Sequence, residues 1–181
     1  MRLPKLAPEQ MSAAQRAVHD ATVAGKRGRM PPPAEAWLHS PEFAMRAQAV
    51  GEYIRFESSI PPDLNEIAIL VTARYWTSHY EWYAHRRLAE AAGLDPAIID
   101  AIRDRRDPDI ADPRARVLYD YAHTLHTTRD VPQELHDRMV EHWGERGVVD
   151  VVGACGYYAL VSMTLNAFDV RLPDGAVSEL R

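Results

Sequence analysis

Glu81 and His85 stand four residues apart in the stretch Tyr75-Trp76-Thr77-Ser78-His79-Tyr80-Glu81-Trp82-Tyr83-Ala84-His85. On a helix that spacing puts both side chains on one face, within reach of each other. A carboxylate beside an imidazole orients the ring and raises its basicity, the arrangement of a general acid or base. Glu66 lies one helix earlier, and if the two helices pack antiparallel its carboxyl reaches the same point. A Glu–His pair at this spacing also occurs on solvated helix faces, and aromatics at helical intervals ordinarily pack a core. A structural reading therefore stands beside the catalytic one.

Other constellations are weaker. Ser78 with His85 and a glutamate has the residue types of a hydrolase triad, but no Gly-x-Ser-x-Gly elbow surrounds it, and a helix N-cap is its plainer role. The paired Glu-x-x-His motifs of a di-iron bundle are missing; the nearest approach is Asp120-x-x-His123, followed by His126. His123 and His126 share a helix face and, with Glu66 or His85, have the chemistry to ligate zinc or iron. Such pairs more often lie at a solvated surface or between subunits. Gly144 and Gly147 fit neither nucleotide fingerprint. No metal and no cofactor is expected.

The elements that must position these side chains are helices, because strand patterns are nearly absent. Pro8-Glu9-Gln10 opens a first helix that runs to about Gly25, and Gly25, Gly28 and Pro31-Pro32-Pro33 then predict an irregular loop. Ser40-Pro41-Glu42 is a cap followed by proline, starting a helix that runs to about Glu57. Asp63 and Glu66 read as a capping box opening a central buried helix, Leu64 to Trp76. The next helix, His79 to Ala92, stops at Gly93. Asp95-Pro96 and Asp112-Pro113 start helices near 96–104 and 113–128, and Pro132 starts another that ends in a Gly144–Gly147 turn. Val148 to Phe168 completes the set as a long apolar helix. About seven helices without strands make an all-α domain. The domain takes in residues 1–181, with a core of about 40–172 and an N-terminal extension helix and Pro-rich loop in 1–39.

Composition narrows the partners. The net charge of −5, with Lys and Arg scattered among carboxylates, is the wrong balance for a phosphate backbone, so no nucleic-acid partner is expected. The single cysteine, Cys155, excludes a disulfide framework or a CxxC pair within one chain. Two prolines break the opening Met1-Arg-Leu-Pro-Lys-Leu-Ala-Pro, unlike a secretory signal, and no stretch of about 18 apolar residues is uninterrupted. These features lead us to expect a cytoplasmic protein that does not span a membrane.

Glu66, Ser78-His79-Tyr80-Glu81-Trp82-Tyr83-Ala84-His85, Leu88-Ala89 and Ala92-Gly93-Leu94 resemble the signature of the carboxymuconolactone decarboxylase / alkylhydroperoxidase D superfamily, as do Gly156-Tyr157-Tyr158 and Leu165-Asn166-Ala167-Phe168. In the peroxidase branch a Glu is followed twelve residues later by Cys-x-x-Cys, and a His stands four after the second Cys. The register is kept here by Glu66, Ser78, Glu81 and His85, but serine and glutamate occupy both cysteine positions. A thiol peroxidase needs one sulfur to attack peroxide and a second to resolve the sulfenic acid. The decarboxylase branch lacks the cysteine pair and is similar in placing a carboxylate about four residues before its histidine.

The resemblance implies an alkylhydroperoxidase D-like fold, assembled as a homo-oligomer (trimer or hexamer, in some members a dimer). It implies a cofactor-free lyase or isomerase acting on a small carboxylated or lactone substrate, in the realm of aromatic compound catabolism. His85 would donate or accept the proton, Glu81 hold its tautomer and Glu66 complete the relay, with Ser78, Tyr80 and Trp82 as substrate contacts. Arg55, Arg74, Arg86 and Arg87 are the candidates to bind a substrate carboxylate. The alternatives are a peroxidase-type antioxidant protein, disfavoured by the missing sulfur, and a non-catalytic helical binding protein. The catalytic reading expects a partly closed pocket with Glu66 on its wall. It also expects His85→Ala to abolish turnover while barely moving the thermal melt.

Overall fold

The computed structural model describes residues 1–181 and contains eight α-helices and no strand. They are α1 (Ala13–Ala24), α2 (Pro32–Trp37), α3 (Pro41–Phe56), α4 (Pro62–Tyr75), α5 (His79–Ala92), α6 (Pro96–Arg103), α7 (Pro113–Thr128) and α8 (Gln133–Ala167). Proline stands in the first turn of α2, α3, α4, α6 and α7, where its missing N–H would be unpaired in any case. Asp95 and Asp112 cap α6 and α7 as their spacing predicts, accepting from the backbone N–H of Ala97 and Arg114 at 2.8 and 3.0 Å. Gly93 ends α5 with φ of 93°, the left-handed stop that glycine takes without strain.

Three local expectations are corrected. The first helix is not continuous from Pro8: a 3-10 turn, Pro8–Gln10, gives way at Met11, and Ser12 starts α1 through a reciprocal capping box with Gln15. The prolines at 31–33 do not enforce a loop; Pro32 and Pro33 open α2, and Trp37 at its end donates to Thr164 Oγ1 at 2.9 Å. The Asp63–Glu66 capping box does not form, because α4 begins two residues earlier behind Pro61 and the Glu66 carboxyl turns inward instead. The Gly144–Gly147 turn narrows to one non-helical residue, Gly144 (φ 66°, ψ 173°), which breaks α8 into two helical segments as expected near this point.

Two apolar clusters share this scaffold. One joins α4 through Ile67, Leu70 and Val71 to α5, α6, α7 and the start of α8. The other joins α1, α2 and α3 to Tyr157, Tyr158, Val161 and Leu165 of α8, with Ile69 of α4 as its contact to the first. Residues 1–39 therefore contribute to a core through Val18, Ala34, Trp37 and Leu38. By length and composition α8 is apolar enough to cross a bilayer, but most of that stretch is buried among the other helices. The α4–α5 connection is short, with Thr77 at φ of 46° and the Trp76 carbonyl accepting from Asn166 Nδ2 at 3.0 Å.

Close approach of α3 to α8 depends on Gly51, where a Cβ would overlap the Tyr157 phenol oxygen and press on Arg27. Gly51→Ala should therefore destabilise the fold by about 1–3 kcal/mol, as overpacking does, despite the better helix propensity of alanine. Urea unfolding with a lowered midpoint and unchanged slope is the expected result.

Candidate active site

Glu66 in the first turns of α4 and Glu81 and His85 on α5 meet at one point. His85 Nδ1 lies 2.6 Å from Glu66 Oε2, and Nε2 lies 3.0 Å from Glu81 Oε1. The i,i+4 spacing on α5 supplies the second contact, and the packing of α4 against α5 supplies the first. The side chains are 4%, 10% and 6% exposed for His85, Glu66 and Glu81, so all three are out of bulk water. Tyr158 of α8 closes the cluster, its ring edge-on to the imidazole at 4.8 Å.

An ionised carboxylate only accepts hydrogen bonds, so a ring paired with one at each nitrogen donates from both and is an imidazolium. Burial alone would push His85 down, but the two carboxylates outweigh it and raise the group to about 9. Neither glutamate alone orients the ring; the two share it, the shorter contact belonging to Glu66. Ser78 caps α5 by position, but its buried Oγ has no hydrogen-bond partner. Both His85 nitrogens are occupied by carboxylates. A serine nucleophile activated by His85 does not exist here.

The other candidate residues are distributed more widely. Trp82 is fully buried in the first apolar cluster and donates its indole N–H to Glu179 at 3.2 Å. Tyr80 is half-buried and lines a separate, shallow cavity with Thr77, His79 and Leu165. Of the four arginines, Arg86 is held by Glu90, Asp100 and Glu179, and Arg87 lies over the Tyr83 ring. Arg74 donates to the Arg103 and Arg181 carbonyls. Arg55 alone acts on the His85 side: burial drives the Tyr158 phenol far above its ordinary value, while the charges of Arg55 and Arg27 pull it back. Sequence reasoning missed Arg27 and gave Tyr157 and Tyr158 no role, although their place on an apolar helix four turns from the kink is what aims them inward.

The five main cavities of the chain are not lined by Glu66, Glu81 or His85. No group of three or more His, Cys, Asp or Glu side chains is placed to hold a metal ion, and His123 and His126 face a different side of α4 from His85. Cys155 is 2% exposed, and burial pushes its thiol up to about 12, away from thiolate chemistry.

Helices of this order around a buried glutamate–histidine cluster define an alkylhydroperoxidase D-like scaffold. Residues 41–124 match the carboxymuconolactone decarboxylase family. No curated protein matches the sequence. Among solved structures, the alkylhydroperoxidase D core of an uncharacterised peroxidase-related protein from Ralstonia eutropha is similar with TM-score 0.77 and 17% identity, covering 96% of this chain and 92% of that one. A peroxidase-related protein from Silicibacter sp. has TM-score 0.75 and 17% identity, with 97% and 91% covered. The debrominase Bmp8 in complex with 2,3,4-tribromopyrrole has TM-score 0.75 and 12% identity, with 96% and 92% covered. At these identities the likeness is one of fold.

Because folding raises the imidazole above its ordinary 6.5, the folded protein holds this proton more tightly than the unfolded chain. The stability this contributes is complete below about pH 6.5 and is lost as pH climbs through about 9. Wild-type protein should lose a few kcal/mol more than Glu66→Gln over that window, by denaturant unfolding at each pH. Ring nitrogen NMR shifts should show His85 doubly protonated at pH 7; a neutral ring there would refute the assignment. His85→Ala should cost about 3–5 kcal/mol by leaving two carboxylates buried and unpaired, so the expectation of an unchanged melt is withdrawn.

Proposed function

We propose that the protein is an enzyme of the decarboxylase-like, acid–base kind, moving a proton to or from carbon in a small carboxylated or lactone substrate. The observation that carries this reading is the buried imidazole held between two carboxyl groups. In a decarboxylation the bond to the carboxyl carbon breaks, its electron pair passes into a conjugated carbonyl, and CO₂ departs. The resulting dienolate takes a proton at carbon from the Glu66–His85–Glu81 relay, and solvent restores it. In an isomerisation the same relay removes a proton from one carbon and returns it to another.

With His85 so buried, substrate meets the relay through the outer oxygen of a carboxylate. Access is assigned to the cavity of about 240 Å³ lined by Arg55, Phe56 and Asn65 at the start of α4, one residue from Glu66. Arg55 is then the cation that receives the substrate carboxylate. The debrominase complex shows that a related fold admits a small planar ring, which supports a substrate of that size. The reading includes a homo-oligomer, supported by exposed Phe43, Met45, Val149 and Met163.

The absence of a main cavity at the cluster favours a second reading, in which the three groups are a structural ion cluster in a non-catalytic helical protein. A peroxidase lacks its sulfur, since Cys155 is the only thiol and is sealed in the core. A panel of small β- and γ-carboxylated lactones and unsaturated acids, followed by CO₂ release and deuterium uptake from D₂O, separates these readings. Turnover should fall about 10²–10⁴-fold in Glu66→Gln and Glu81→Gln, while Arg55→Ala should act mainly on KM. Wild-type inertness across the panel would support the structural reading. Peroxide reduction surviving Cys155→Ser would overturn the thiol argument.

A further inference from the structure

On the other side of α4 lies a cavity of about 270 Å³, bounded by α4, the end of α6, and α7. None of the acid–base cluster lines it. Tyr75 follows Glu66 by nine residues, and at about 100° per residue the two point from opposite faces of the helix. Its volume sits just below the usual range for small-molecule sites, so it suits a single ring rather than a larger ligand.

Its lining has a definite chemistry. Val71 and Ile102 supply an apolar floor. Two aromatic stacks form the walls: Tyr75 on His126 at 5.0 Å and 25°, and Tyr119 on His123 at 5.5 Å and 18°. His126 serves here as a neutral plate. Thr72 Oγ1 donates to the Ala68 carbonyl at 2.8 Å, so the 2.8 Å contact to His126 Nε2 is one in which the ring donates. Burial and then the nearby His123 also push His126 below its ordinary value.

Charge at the rim is one-sided. Arg74 and Arg105 both line the cavity. Neither has an Asp or Glu partner, because Asp104 is taken by Arg103 and Arg106, Asp107 by Arg116, and Asp120 by Arg116 and Arg138. Burial and then the charge of Arg105 lower Arg74, and the charge of Asp104 offsets part of that. Arg105 has no side-chain partner beside this apolar, aromatic-walled slot, while Arg74 is already held by the Arg103 and Arg181 carbonyls and lies near Asp104; a guanidinium fork matches a carboxylate.

We propose that this cavity is a binding site for a small planar organic anion, an aromatic or conjugated monocarboxylate, separate from the Glu66–His85–Glu81 cluster. The ring lies between the tyrosine–histidine stacks and the carboxylate meets Arg105 and Arg74.

Calorimetric titration of the full chain with benzoate, benzamide and acetate tests this. Benzoate should bind saturably, with benzamide (no charge) and acetate (no ring) at least about tenfold weaker. Arg105→Ala, at an exposed position that should not disturb folding, should weaken benzoate at least about tenfold, whereas Glu66→Gln should leave it unchanged. Methyl NMR shifts on binding should centre on Val71 and Ile102. Benzoate binding insensitive to Arg105→Ala, lost in Glu66→Gln, or absent at millimolar concentration would overturn the proposal.

Discussion

Everything near the site is organised by one electrostatic constraint: an imidazole and two carboxylates removed from water together. Burying a charge costs several kcal/mol, and mutual attraction offsets that only when the geometry is good on every side. Here Glu66 comes from α4 and Glu81 with His85 from α5, so the cluster fixes the register of one helix on the other. The short connection at Thr77, a non-glycine residue in the left-handed region, is held by the same pairing and by Asn166 from α8. Tyr158 then seals the cluster from the second apolar core. Removing His85 leaves both carboxylates buried and without a partner.

Placing carboxylate where relatives of the peroxidase branch carry sulfur changes what the histidine is. Beside a thiol an imidazole has a partner that can ionise, attack and leave. Between two glutamates it has partners that only accept, and it becomes a proton held in reserve. The surrounding phenols show the same bias: burial keeps Tyr157 and Tyr158 protonated, the former up to about 12.

What the sequence discloses depends on whether the partner is near in the chain. Glu81 and His85 are legible because a helix converts a spacing of four into contact. The caps at Asp95 and Asp112 and the stop at Gly93 are legible for the same local reason. Glu66 is ambiguous by itself: Asp63 and Glu66 satisfy a capping pattern, and only the tertiary structure shows that a buried imidazole, with more to offer than a backbone N–H, takes the carboxyl. The prolines at 31–33 are ambiguous too, since the residue that breaks a helix also starts one. Trp82 and Tyr158 mark the limit. Aromatics crowded at a helix junction do not say which will pack a core and which will meet a charge, because that is decided by helices distant in sequence.

The two faces of α4 carry opposite electrostatic characters, and this follows from which side each ionisable group finds its counter-ion. On the α5 face two acids share one cation and the balance is negative. On the α7 face two arginines have no acidic partner and the balance is positive. A single rigid helix separates them, so the fields do not cancel through side-chain rearrangement; each face keeps its preference. A carboxylated molecule is repelled by the first face unless Arg55 intervenes, and is attracted by the second.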